Sequence, residues 1–370
     1  MSPVSAEAWA DVAAPGTDPA LLAATVERLR RVGPAALGRV VRERADAAPA
    51  ASPTELLRAV VPPVLPAGTG DAEGWRRLGV RVALAGDPSY PARLAAGWPH
   101  AGGPPLLAVR GPLPLPAGPA VAIVGARRAT SYGTGVAAWL AEAAAAAGAT
   151  VVSGGAVGID AAAHGAAVDA GTIVVLGCGH DVGYPRPHAT AGGLFARILD
   201  HGGWLVSEHL PGAPPVAHHV RARNRIVAAL ADVVVVVEGS DRSGALVTAG
   251  EAAQAGVPVL AVPGDVRRPG SAAPHLLLRE GAAPCTSPDD LLAALSLVAP
   301  ADGAPAAASS TLPAEVHAAL VRAWPRPLRL DVLAEHAGVP AGRLLALVTR
   351  AHIAGELAEG ADGVRLTRAP

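Results

Sequence analysis

The chain contains no lysine, a single phenylalanine, a single methionine, three tyrosines and two cysteines in 370 residues. Each shortage excludes something. With aromatics at 3% and apolar residues at 51%, the core must be built from Val, Leu, Ile and Ala, and there is enough of it to exclude a disordered chain. Cys178 and Cys285 lie far apart, without a CxxC or a His-rich neighbourhood. That excludes a disulfide framework and a zinc site, and it fits a reducing compartment. All 30 basic residues are arginine. Ala, Gly, Pro and Arg share GC-rich codons, so the missing lysine reflects coding bias rather than function. The net charge of −1 excludes a polycation, and any nucleic-acid binding must come from a local arginine cluster. Long apolar runs are missing as well. Glu142 and Gly148 interrupt the Ala-rich stretch 136–152, and an N-terminus with Glu7 and Asp11 has no signal-peptide core. A soluble, cytoplasmic protein with no membrane contact is expected.

Three parts are predicted. Residues 1–65 read as a small helical domain: an apolar period over 21–31, a break at Val32-Gly33-Pro34, a second helix over 37–44, and a third opened by Ser52 with Glu55 in its first turn. A helix-hairpin-helix unit gripping a DNA phosphate would give this pattern; a plain bundle explains it as well and is favoured. Residues 71–297 alternate apolar β-branched runs with helical segments. Runs at 120–124, 149–152, 172–176, 204–207, 232–237 and 258–262 are mostly followed by glycine and then helix. That rhythm predicts an α/β fold, an extended Rossmann-like, doubly wound parallel sheet. After an Ala/Pro/Ser/Gly linker, residues 311–370 predict helices at 315–323, 330–337 and 343–351 and a small β-wing, a winged-helix domain.

In an open α/β sheet, ligands bind beyond the carboxyl ends of the strands. The loop 125–133 is no GxGxxG, because its glycines are too far apart. It offers Arg127, Arg128, hydroxyls and a helix N-terminus, a set suited to phosphate. In 153–160, Ser153, Gly154, Gly155 and Gly158 form a stretch whose backbone N–H groups can approach a ligand closely. Asp160 is expected to cap the helix that carries His164; capping and a local hydrogen bond are favoured over an acid–base pair. Arg221, Arg223 and Arg225 alternate around Asn224 and cannot share one helical face, so part of 218–225 should precede a helix. His218 and His219 have no acidic or Cys partner at metal-binding spacing. Ser243, Gly244 and Thr248 open a further helix after the central strand. No serine elbow, Cys/His pair or close carboxylate pair accompanies these loops. The set predicts binding of a phosphodiester without catalytic residues, metal or cofactor.

These stretches resemble the DprA (Smf) family of DNA-processing proteins. The residues that carry it are 87–94 (DPSYPARL), 121–127, SGGAVGIDAAAH at 153–164, 175–179, Tyr184-Pro185, Ser207-Glu208, RNRIVA at 223–228, SGALVTA at 243–249 and Val262-Pro263-Gly264. The resemblance implies a dimer that binds single-stranded DNA without cutting it, protects incoming strands and loads the RecA recombinase in natural transformation. It implies DNA contacts at Arg127, Gly154, Gly155, Gly158, Arg223, Asn224, Arg225, Ser243, Gly244 and Thr248. Three departures stand out: Val157 where the family has Arg, Val220-Arg221 where it has Phe-Pro, and His188 near the family's Asn. Loss of the Phe removes a base-stacking platform, so weaker and more electrostatic binding is expected. The alternative is a nucleotide-processing enzyme of the phosphoribohydrolase type on the same scaffold. Its PGGxGTxxE stretch is absent, and Glu251 is displaced from the catalytic position.

Overall fold

A computed structural model describes residues 3–61, 70–96, 98–99, 103–298, 312–323 and 327–339, with Leu344, Leu347, Val348, 357–360 and 363–366 beyond them. Two compact units divide it, Met1–Ala299 and Pro300–Pro370. In the first, nine strands form one sheet: β1 Val80–Leu84, β2 Leu106–Arg110, β3 Ala120–Val124, β4 Thr150–Ser153, β5 Thr172–Leu176, β6 Trp204–Ser207, β7 Val233–Val236, β8 Val259–Ala261 and β9 Ala283–Pro284. Their order is β1-β2-β6-β5-β4-β3-β7-β8-β9. From β6 to β9 every pairing is parallel, whereas β2 runs antiparallel to β6 and β1 antiparallel to β2.

The expectation of a wholly parallel sheet is therefore corrected to a mixed one. The six predicted strands are β3 to β8. The three others escape the strand–glycine–helix rhythm: β1 exposes Arg81, β2 lies between Pro104-Pro105 and Gly111-Pro112, and β9 is two residues long.

The central strands are apolar throughout because both faces are covered. Along β3, Val121 and Ile123 join Ala137, Leu140 and Leu291 in one core layer. Ala122 and Val124 face the other way, into a layer with Ile226, Val227, Ala245 and Ala249. That second layer continues through Trp9, Leu22, Leu37, Leu57 and Trp75. The helices of residues 3–60 thus share the sheet's core, and the expected boundary near residue 65 falls inside one compact unit. Helix Pro19–Ala47 is broken at Gly33, whose φ of 75° is non-helical, at the predicted stop. Helix Pro53–Val60 opens with a capping box between Ser52 and Glu55. The predicted linker before residue 311 lies outside the described residues, as do residues 62–69.

The second unit holds helices Ala314–Ala323 and Leu330–Ala337 and a hairpin of β10 Leu357–Gly360 with β11 Gly363–Leu366. Val316, Leu320, Leu333, Leu344, Leu347, Leu357 and Val364 form its core. Most of the predicted helix at 343–351 lies outside the described residues. Among the described residues, no helix is long and apolar enough to cross a membrane.

Candidate functional site

Strand β3 lies between β4 and β7, and the helices that follow β3 and β7 pack on opposite faces. Helix Ser131–Ala146 buries Ala137 and Leu140 in one layer, and helix Gly244–Gln254 buries Ala245 and Ala249 in the other. The loops leaving β3 and β7 diverge as a result, and such a switch point opens a crevice at the carboxyl edge of the sheet. A cleft of about 600 Å³ occupies it. Arg127, Arg128, Gly154, Asp160, Arg223, Asn224, Ser243, Gly244 and Thr248, all singled out from the sequence, line this one cleft.

Arg223 forms its floor. It closes the short helix Ala217–Ala222 and opens the next, Asn224–Ala229. Only 6% of it is exposed. Its guanidinium passes over Gly154, where a Cβ would collide with three guanidinium atoms. Gly154 is thus a glycine because an arginine needs the space. Burial draws the Arg223 pKa down, and the nearby Asp160 charge draws it back up. No described residue accepts a hydrogen bond from its Nε. A largely buried cation lining an open cleft is an anion site in its chemistry.

The surrounding groups hold this arrangement still. Arg127 donates from Nη1 to the Tyr184 hydroxyl at 3.1 Å. Asn224 donates to the Gly244 carbonyl at 3.1 Å, joining the arginine segment to helix Gly244–Gln254. Ser243 caps that helix, accepting from Ala245 N–H at 3.2 Å. His188 donates from Nδ1 to the Gly155 carbonyl at 3.0 Å, so this departure from the family pattern braces the glycine loop. Gly155 and Gly158 have φ of 67° and 89°, and each packs against its neighbours without room for a Cβ.

Other predicted residues are placed differently. Asp160 is not the N-cap. Gly158 takes that position without a side-chain bond, and the Asp160 carboxylate reaches back to Ala156 N–H at 3.2 Å. Burial pushes the Asp160 carboxyl up, and Arg223 opposes the rise. His164 lies 2.9 Å from Thr172 Oγ1, whose own hydrogen goes to the Val151 carbonyl, so His164 Nδ1 is the donor. Burial first, then His188 and Arg223, lower its pKa to about 3, which keeps it neutral and outside acid–base chemistry. Ser153 is fully buried and donates to the Ile123 carbonyl at 2.7 Å. Arg221 is exposed and does not line the cleft. Arg225 points away from it. Its fork grips the Glu208 carboxylate with bonds of 2.7 and 2.6 Å, beside a different cleft.

Sequence reasoning missed the roles of Tyr184 and Glu208. Both stand in quoted family stretches, which was the available signal. Both cysteines are buried and free, and burial pushes their thiols to about 11 and about 12. Among the described residues, no group of three or more His, Cys, Asp or Glu is arranged to hold a metal.

The family described as DNA recombination-mediator protein A matches residues 81–296. A DprA protein of Mycobacterium tuberculosis is 43% identical over 234 residues, 60% of this chain but only 59% of the relative's length. Protein Smf of Escherichia coli is 37% identical over 258 residues, 67% of this chain and 68% of the relative. The X-ray structure of DNA processing protein A from Streptococcus pneumoniae superposes with a TM-score of 0.55 at 30% identity, covering 74% of this chain and 92% of the other. A structure described as showing the single-stranded DNA binding mode of DNA processing protein A from Helicobacter pylori gives 0.52 at 28% identity, covering 59% and 96%.

Proposed function

Because the chain belongs to the DNA recombination-mediator protein A family, we propose that it is a non-catalytic mediator that binds single-stranded DNA in the switch-point cleft. The observation that carries this reading is Arg223, a cation only 6% exposed that lines the cleft. A backbone phosphate in the cleft pairs with the Arg223 charge. Arg127 and Arg128 hold neighbouring phosphates at the rim. The start of helix Gly244–Gln254, with Ser243 and Thr248 beside it, adds its positive end. Asn224 fixes the distance between these two walls. With Val157 and Val220 where the family has Arg and Phe, the contact is mainly electrostatic.

On this reading the protein works in the cytoplasm as a homodimer, protects incoming single strands and passes them to RecA during DNA uptake. Its parts are a helical domain at 1–65, the Rossmann-like core at 71–297 and a winged helix at 311–370. The enzymatic alternative requires a catalytic carboxylate in the cleft. Glu251 lies beside Arg225 and Glu208 instead, Glu238 is bonded to Thr130, and Asp160, which does line the cleft, is buried and accepts from Ala156 N–H.

Fluorescence anisotropy of labelled oligo-dT against duplex of equal length, over a salt series, tests the reading. Wild type should prefer the single strand. Arg127→Ala and Arg223→Ala should each weaken binding about tenfold or more and flatten the log–log salt slope by roughly 0.7 per lost phosphate contact. Unchanged binding in both variants, or release of ribose phosphate from a mononucleotide, would refute it.

A further inference from the structure

In a chain with so few aromatic residues, the exposed ones are informative. The large hydrophobic side chains left exposed among the described residues are Tyr132, Trp139, Val157 and Val266. Tyr132, 54% exposed, is in the first turn of helix Ser131–Ala146 and lines a second open cleft of about 550 Å³. Arg268, Pro263 and Ser271 line it as well. This cleft adjoins the switch-point cleft, because both are walled by the same three segments. The loop after β3 gives Arg127 and Arg128 to one and Thr130 and Tyr132 to the other. The loop after β7 gives Ser240 to one and Glu238 to the other, and the turn at 268–271 gives Pro269 and Gly270 to one and Arg268 and Ser271 to the other.

The Tyr132 ring is held in place. Its hydroxyl donates to the Pro263 carbonyl at 2.9 Å. The loop beneath is braced by Glu238, which accepts from Thr130 N–H at 2.9 Å and from the Thr130 hydroxyl. Gly239 N–H donates to the Gly270 carbonyl at 2.7 Å, tying the remaining wall. A half-exposed ring that is already ordered loses little entropy on contact with a flat partner. Arg268 lines the cleft together with Asp265, whose carboxylate holds Arg267 with two bonds of 3.0 Å. An immobile aromatic face beside an arginine, continuous with a phosphate-binding cleft, is the pairing that single strands use: base on ring, phosphate on cation.

We infer that the strand leaves the switch-point cleft over this wall, stacking one base on Tyr132 with its phosphate at Arg268. The inference rests on the single-strand reading above and assigns that strand a stacking subsite in place of the missing Phe.

Titration of wild type, Tyr132→Ala, Tyr132→Phe and Arg268→Ala with oligo-dT and with an abasic strand of the same length tests it, with Arg127→Ala in parallel. Tyr132→Ala should weaken oligo-dT binding about fivefold or more. The same variant should bind the abasic strand like wild type, and Tyr132→Phe should stay within about twofold of wild type on both. Arg268→Ala should weaken both strands alike and flatten the salt slope. Should Tyr132→Ala bind oligo-dT like wild type while Arg127→Ala fails, the stacking subsite is refuted and the cleft assignment survives. Loss at Tyr132→Ala that is equal on the abasic strand, or matched by Tyr132→Phe, refutes stacking in favour of a loop-bracing role. If wild type binds neither strand, both inferences fall together.

Discussion

Gly154→Ala is expected to cost most of the single-strand affinity, roughly tenfold to a hundredfold, while barely lowering the melting temperature. The new methyl group occupies the space of the Arg223 guanidinium. Gly154 lies outside the left-handed region, so alanine adds no backbone strain there. The clash falls on the end of a flexible side chain, which can swing aside. What is lost is the placement of one buried cation, worth about 1.5–3 kcal/mol as a hydrogen bond to a charged group. If the effect works through Arg223, Gly154→Ala and Arg223→Ala must be non-additive, the double variant binding about as poorly as either single one. Additive losses would show that Gly154 acts on the strand directly, through its own backbone. Anisotropy supplies the affinities, and a thermal melt of each variant separates lost binding from lost fold.

Arg225→Ala is expected to have the opposite signature. It removes the fork from Glu208, whose side chain is only 3% exposed, and leaves a buried carboxylate unpaired. Losing one partner of such a pair costs about 3–5 kcal/mol, which for a unit of this size lowers the melting temperature by roughly 10 °C. Burial alone would push the Glu208 carboxyl up, but the Arg225 bonds and charge outweigh it, and its pKa lies below the ordinary value. The sign of the pH dependence follows. The pair stabilises the fold above the unfolded carboxylate pKa, and that stability is lost as pH falls through the lower folded value. Wild type should therefore lose more stability than Arg225→Ala between neutral and acid pH. Replacing both partners, Glu208→Leu with Arg225→Met, should be milder than Arg225→Ala alone. A variant Arg225→Ala that melts like wild type yet releases DNA would make Arg225 a phosphate contact after all.

These two arginines also mark how far the sequence could be read. Strands β3 to β8 were legible because burial on both faces writes an unbroken apolar run, and the loop positions of Arg127 and Arg223 follow from that ladder alone. Which way each arginine points does not. Two helical residues apart is a rotation of about 200°, and Glu208, the group that captures Arg225, is 17 residues away on a different loop. Gly154 looked like a place for a ligand to approach; its neighbour is a side chain almost 70 residues later, a contact no local pattern encodes. Asp160 had the spacing of a cap, but Gly158 at φ 89° had already started the helix. The stretch 87–94 carried a family signature with no evident chemistry. Arg93 proves to clamp Asp232, which also accepts from Ala120 N–H, so it pins the starts of β3 and β7 from the end opposite the cleft.

Arg223 caps the end of one short helix and the start of the next, and the two differ in what holds them. Helix Ala217–Ala222 has no fully buried residue, whereas Asn224–Ala229 buries Ile226, Val227 and Ala228. The first can open by itself and the second only with the sheet, so an amide-exchange map should break between residues 222 and 226. Amides on the early side should exchange within a local fluctuation, those on the late side at the rate of global unfolding. A bound strand pulling on Arg223 would slow the early set most, turning the loosest segment of the cleft wall into its reporter of occupancy.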